Sequence, residues 1–185
     1  MSRDCLHIIH LPERTDRWKQ LQQELEAQQV TDYRIWAGIR DYMCPQRGTS
    51  KAHKQIIAWA KSCRLPGVLI AEDDIAFSVA GALDYFLREQ PAEFDLYLGG
   101  IIWGNIGSDY TARDFAGATL YLASEQFYTT LLDLPEDCDF DRALAGRGKF
   151  VVCNPLVASQ HSGYSDHYNR VVNFKPAETL PVRSK

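Results

Sequence analysis

Val68-Leu69-Ile70-Ala71-Glu72-Asp73-Asp74 sets four apolar residues directly against three carboxylates. An unbroken apolar run of this kind, entered from the Leu65-Pro66-Gly67 break, is what a central strand covered on both faces requires. Ligand sites in open α/β sheets lie beyond the carboxyl ends of the strands, which is where the three acids fall. Alternate residues of an extended chain share a face, so Glu72 and Asp74 point the same way. Two carboxylates about 6 Å apart repel by roughly 2–3 kcal/mol at an effective dielectric near 20. A hard divalent cation, Mg²⁺ or Mn²⁺, relieves that repulsion through oxygen ligands. The alternative is a solvated acidic turn that only stops a strand.

Outward from this stretch, strand and helix periods alternate, which predicts an α/β fold. Residues 5–11 (CLHIIHL) read as a buried strand. A helix over 15–29 follows, with Thr15 or Asp16 as cap and Trp18, Leu21 and Leu25 on one face. Residues 33–37 (YRIWA) alternate as a second strand, and 39–48 read as a loop. Thr49 or Ser50 caps a helix running to about Cys63, with Ala52, Ile56, Trp59, Ala60 and Cys63 as its buried stripe. Beyond the acids come a helix with Leu83, Phe86 and Leu87, a strand over 94–98 ending in Gly99-Gly100, and an alternating strand over 117–123. Ser124 then caps a helix to Leu132. A short helix over 140–145 and late strands over 149–153 and 156–159 complete the pattern. One domain, residues 1–173, is expected. The tail, residues 174–185, carries two prolines and charges, and is loose or lies across the surface.

The composition of the 185 residues, 45% hydrophobic and 24% charged, is that of an ordinary globular chain. A net charge of -4 argues against a broad nucleic-acid surface. The five cysteines are scattered with no CxxC spacing, so neither a disulfide framework nor a zinc site is expected. No apolar run approaches the roughly 18 residues of a membrane span. Met1-Ser2-Arg3-Asp4 runs straight into a strand without the pattern of a signal peptide, so a cytoplasmic location is expected.

Two segments are candidates for binding a nucleotide. His10-Leu11-Pro12-Glu13-Arg14-Thr15-Asp16-Arg17 spans a strand end and a helix start. Arg14 and Arg17 lie three apart and can share a face there. Backbone N–H groups and the helix dipole favour an anionic partner at such a place. The competing reading is a capped helix with surface arginines. Gly48-Thr49-Ser50-Lys51-Ala52-His53 opens the next helix. His53 is either a satisfied core histidine or a group beside a diphosphate. Of the tryptophans, Trp59 falls on a core stripe, and Trp103, near Gly99-Gly100 and Gly104, is the exposed candidate for stacking on a sugar.

Together these segments resemble glycosyltransferase family 25, the lipopolysaccharide-biosynthesis glycosyltransferases. Leu11-Pro12-Glu13-Arg14-Thr15-Asp16-Arg17 resembles its opening segment. Gly48 with His53 resembles its G-x-x-x-S-H segment. Leu69 to Asp74 resembles its L-I-L-E-D-D strand end, Gly117 to Leu122 its later G-x-x-A-Y-L type strand, and residues 155–166 (PLVASQHSGYSD) its closing segment. Departures are Ala52 before His53 and His10 where the family has Asn. The chain is also short for the family, so acceptor-binding elements are reduced or come from a partner. The resemblance implies a GT-A-like, Rossmann-like single domain with a mixed, mostly parallel central sheet flanked by helices. It implies a nucleotide-sugar donor, a UDP-sugar, and an inverting transfer to a saccharide hydroxyl with Mn²⁺ or Mg²⁺. By position, Leu11, Pro12, Arg14 and Arg17 would line the nucleotide, with His53 and Asp73 nearby. Glu72 and Asp74 would hold the metal, and His161 would be a late metal or diphosphate ligand. By family likeness alone the acceptor is a glycan or a lipid-linked saccharide at the cytosolic membrane face, reached by peripheral association.

Inversion needs a base opposite the leaving group. Asp141 is the first candidate and Asp139 the second, against the reading of both as capping acids. The late loop, Gln160 to His167, with its Ser, Gly and Tyr, suits a lid over the donor, against the reading of an ordinary polar loop. Two other functions remain open: a non-catalytic sugar-nucleotide-binding relative or scaffold of the same fold, and a metal-dependent phosphohydrolase.

Overall fold

The computed structural model describes residues 5–174. β1 (Leu6–His10) and β2 (Tyr33–Ala37) flank α1 (Thr15–Ala27). α2 (Pro45–Ser62) leads into β3 (Gly67–Glu72). After the acids come β4 (Ile75–Phe77), α3 (Ala82–Arg88) and β5 (Leu96–Gly100). A hairpin of β6 (Trp103–Ile106) and β7 (Thr111–Ala116) precedes β8 (Leu120–Ser124). A 3₁₀ turn, Glu125–Phe127, runs into α4 (Tyr128–Leu132), and a second, Arg142–Leu144, precedes β9 (Phe150–Val152). β10 (Ala158–Gln160), β11 (Gly163–Ser165) and β12 (Arg170–Val172) follow.

Eight strands form one sheet in the order β2-β1-β3-β8-β5-β9-β7-β6. β1 runs parallel to β2 and β3, and β5 parallel to β9. β8 is antiparallel to both β3 and β5, and β7 to both β9 and β6. The sheet is therefore mixed, with β8 and β7 reversed against a common direction of the rest.

β3 is covered on both faces, as its continuous apolar run demands. Val68 and Ile70 enter a core with Ile56, Ile57 and Ala60 of α2 and Tyr128 and Leu131 of α4. Leu69 and Ala71 enter the opposite core, with Leu21 and Leu25 of α1 and Leu83 and Phe86 of α3. Each fully buried aliphatic side chain of this kind stabilises the fold by roughly 1.5–3 kcal/mol.

Several elements differ from the sequence expectation. α2 starts at Pro45 rather than at Thr49 or Ser50. Proline is pre-set for the first helical position, and the Asp41 carboxylate accepts the N–H groups of Met43 (3.0 Å) and Cys44 (2.9 Å) just ahead of it. Cys63, placed on the buried stripe, is exposed at the helix end. Ser124 makes no side-chain cap bond, and its helix opens with the 3₁₀ turn. The expected helix over 140–145 is a 3₁₀ turn capped by Asp141. The β6–β7 hairpin, whose residues show no regular apolar alternation, is an addition. The late loop is in part the β11–β12 hairpin. The tail beyond Phe174 lies outside the described residues.

Candidate active site

The parallel register of β1 and β3 sets Ile9 opposite Glu72, so the next residues of the two segments, His10 and Asp73, meet. His10 Nδ1 lies 2.8 Å from Asp73 Oδ2, and the Leu11 N–H reaches the same oxygen at 3.4 Å. From the first turn of α1, Arg17 donates to Asp73 Oδ1 at 2.7 Å and pairs with Asp74 Oδ2 at 3.0 Å. Burial works against the Arg17 charge, but Asp74 and Asp73 outweigh it and raise its pKa. Asp74 is 6% exposed, and its Oδ1 is buried without a hydrogen-bond partner among the described residues. Burial pushes its carboxyl up to about 7, with Arg17 opposing and Glu72 and Asp73 adding to the rise. Beside it, Glu72 Oε1 lies 3.3 Å from His53 Nε2, and Gln160 Nε2 donates to Glu72 Oε2 at 3.2 Å.

These acids face a cavity of about 360 Å³. Leu11, Arg17, Gly38 and Ile39 line one part, and Gly48 and His53 of α2 another. Gly117, Asp139, Asp141 and Arg142 line the side toward β7 and β8, while Gln160, Asp166, His167 and Tyr168 come from the C-terminal segments. Gly48 is required by contact: a Cβ there would stand 2.2 Å from the Ile39 carbonyl oxygen. Gly117 is required by backbone, with φ of +74° and Ile102 atoms 2.4 Å from where a Cβ would be. Its N–H donates to Asp141 Oδ2, and the Arg142 N–H donates to Asp141 Oδ1 at 2.7 Å. Burial raises the Asp141 carboxyl, and these two N–H groups oppose the rise.

Of the residues expected from the sequence, Leu11, Arg17, His53, Glu72, Asp73, Asp74, Asp139 and Asp141 are brought together on this cavity. Pro12, Arg14 and His161 are absent from its lining. Arg14 is spent on protein partners: Asp16, Asp166 and the Tyr164 carbonyl oxygen. With Arg40, which also pairs with Asp166, it ties the β11–β12 hairpin to the N-terminal loops. The His161 ring, expected as a metal ligand, instead meets Glu24 Oε1 at 2.8 Å, and only its backbone N–H reaches the Asp74 carbonyl. Among the described residues, no three His, Cys, Asp or Glu side chains form a ready metal cage. Trp103 is exposed and carries the Arg142 guanidinium 5.1 Å from its ring centroid. No sequence signal singles out Gln160, Tyr121 or the Gly38–Ile39 wall, and His10, which opens the candidate nucleotide segment and departs from the family's Asn, carries no role of its own there. His10 was discoverable, because adjacent parallel strands that end in a histidine and an acid bring the two together.

No protein-family model and no curated protein matches the chain. Solved structures do. A mutant Drosophila β1,4-galactosyltransferase 7, solved with manganese, UDP-Gal and xylobiose, superposes with a TM-score of 0.55 at 14% identity, over 91% of this chain and 74% of that one. The fold is GT-A-like. A197 from STIV matches with a TM-score of 0.53 at 8% identity, over 97% and 98% of the two chains. HddC from Yersinia pseudotuberculosis matches with a TM-score of 0.45 at 12% identity, over 80% and 68%. At these identities the likeness is one of fold. Among the described residues, no helix is long and apolar enough to cross a membrane.

Proposed function

We propose that the chain is a glycosyltransferase related to family 25, which transfers a sugar from a UDP-sugar to a saccharide hydroxyl with inversion. The observation that carries this reading is the meeting of the β3 acids, Leu11, Arg17 and His53 on one cavity of a GT-A-like fold. The cavity suits a cation as well. Its oxygen donors match a hard ion, and the buried Asp74 Oδ1 has no other partner among the described residues. Glu72 and Asp74 would hold Mn²⁺ or Mg²⁺, which when bound supplies positive charge to the departing diphosphate. Arg17 keeps Asp73 and Asp74 oriented from the Oδ2 side of Asp74 and leaves its Oδ1 without a partner among the described residues.

Asp141 takes the proton from the acceptor hydroxyl as its oxygen bonds to the sugar C1 and the C1–phosphate bond breaks. Its raised basicity suits that task; Asp139 is the alternate base. Asp141→Asn with full turnover and Asp139→Asn without it would reverse the two roles. We further propose a cytoplasmic reaction, with membrane contact through a lipid-linked acceptor.

The test is a thermal-shift and calorimetric screen of UDP, GDP and CMP sugars with and without Mn²⁺. A UDP-sugar shift that needs the metal and disappears in Asp74→Ala supports the reading. No shift with any of them removes it. A non-catalytic sugar-nucleotide-binding relative is the second reading, favoured by the full engagement of both Asp141 oxygens by backbone N–H groups. Metal-dependent binding without donor hydrolysis or transfer to any tested saccharide would select it.

A further inference from the structure

His53 is 1% exposed and Tyr121 wholly buried. The His53 ring stacks on Phe140 with centroids 4.7 Å apart and planes 8° apart, so it cannot swing freely. Its Nε2 lies 3.3 Å from Glu72 Oε1 and its Nδ1 2.9 Å from the Tyr121 hydroxyl. The proton positions follow from accounting. A carboxylate only accepts, so Nε2 must carry a hydrogen. The Tyr121 hydroxyl has His53 as its one hydrogen-bond partner among the described residues. Were Nδ1 also protonated, the buried hydroxyl hydrogen would have no acceptor. One arrangement leaves no buried group unpaired: Tyr121 O–H donates to Nδ1, and Nε2–H donates to Glu72.

We infer that His53 is a positioning residue, locked by Tyr121 as the Nε2–H tautomer so that it holds the Glu72 carboxylate toward the cavity. The other Glu72 oxygen is held by Gln160, so two donors without formal charge fix the acid from opposite sides. Neither donor cancels its charge, which stays available to a cation. The inference deepens the transferase reading and rests on it for what Glu72 binds, but not for the tautomer.

The experiment has two readouts. Long-range ¹H–¹⁵N correlation of the imidazole nitrogens reports the tautomer in the free protein: a protonated Nε2 and a bare Nδ1 are expected, and Tyr121→Phe should mix the tautomers. Calorimetry with Mn²⁺ and UDP reports the consequence. His53→Ala and Tyr121→Phe should weaken binding by about 10-fold or more, the usual effect of losing a group that orients a ligating side chain. His53→Gln, whose amide N–H₂ can stand where Nε2–H stood, should recover most of the loss. Thermal melts separate misfolding from mispositioning. A protonated Nδ1 in the wild-type protein, or Tyr121→Phe with unchanged spectrum and affinity, overturns the inference. Wild-type protein that binds no Mn²⁺–UDP but shows the expected tautomer supports the lock and removes the transferase reading instead.

Discussion

Acid should loosen the layer that fastens β1 and β2 to α2, and His7 is the group to watch. The residue is 2% exposed, and its ring lies 4.7 Å from the ring of Trp59 and 5.9 Å from that of Trp36. Trp36 Nε1–H donates to His7 Nδ1 at 2.9 Å, a bond that needs a bare Nδ1. Burial, then the nearby Arg34, lowers the His7 pKa to about 4, with Asp32 opposing. A base with a depressed folded pKa binds more protons unfolded, so its stability contribution is full at neutral pH. It is lost as pH falls from the unfolded value toward the folded one. That depression corresponds to roughly 3 kcal/mol in all, most of which is gone by about pH 4.5. The raised carboxyl of Asp74 acts in the opposite sense over the same range, so the wild-type profile alone is not diagnostic. The assay is urea unfolding of wild type and His7→Asn near pH 7 and pH 4.5, without metal. Asn Oδ1 can accept the Trp36 N–H and does not titrate. The variant should be the weaker at neutral pH through lost ring packing. Its deficit should shrink by roughly 2–3 kcal/mol in acid. A deficit that is the same at both pH values refutes the argument.

Gly48→Ala should cost about 1–3 kcal/mol and displace the 38–41 wall, because the new Cβ meets backbone rather than a mobile side chain; an unchanged melting temperature would contradict this. Arg17→Met strips the partner from two buried carboxylates and should cost about 3–5 kcal/mol, more at alkaline than at acid pH because Asp74 can then take a proton. Urea melts of Arg17→Met with Asp74→Asn added should show most of that loss recovered. Asp166→Asn removes the hairpin's ion pairs with Arg14 and Arg40 and leaves the Arg14 bond to the Tyr164 carbonyl, so amide exchange over 163–172 should quicken while global stability changes little.

The central strand was legible because a run buried on both faces must be apolar at every position, and few other structures impose that. The three acids were legible because their place at its end is fixed by the chain itself. Arg14 and Arg17 show where such reading stops. Three-residue spacing makes two side chains share a helix face only if both are helical. Arg14 is the N-cap, with φ of -86° and ψ of 65°, and it turns to the β11–β12 hairpin while Arg17 turns to the acids. His161 failed for a related reason. It follows Gln160 at the end of an extended segment, where neighbours point to opposite sides. Gln160 faces Glu72, so His161 faces Glu24. The β6–β7 hairpin was hidden because its stretch combines glycine, charge and aromatic residues without a two-residue period.

Charge places the strongest constraint on any ligand of this cavity. Six of its lining side chains are carboxylates and two are guanidinium groups. Arg17 is already committed to Asp73 and Asp74, and Arg142 to Asp114. Two like charges 4 Å apart cost about 4 kcal/mol at an effective dielectric of 20, so a bare diphosphate entering beside Glu72 and Asp74 would be repelled strongly. A nucleotide sugar can therefore bind well only if positive charge enters with it. Binding of UDP should then be tightly linked to Mn²⁺: negligible in chelator, restored by the ion, and shifted in Asp74→Asn toward weak binding that no longer depends on the ion, since the variant removes both a ligand and a repelling charge. UDP that binds wild type equally well in chelator would show that the acids face something other than the diphosphate, and the donor would have to lie along the Gly117–Arg142 side instead.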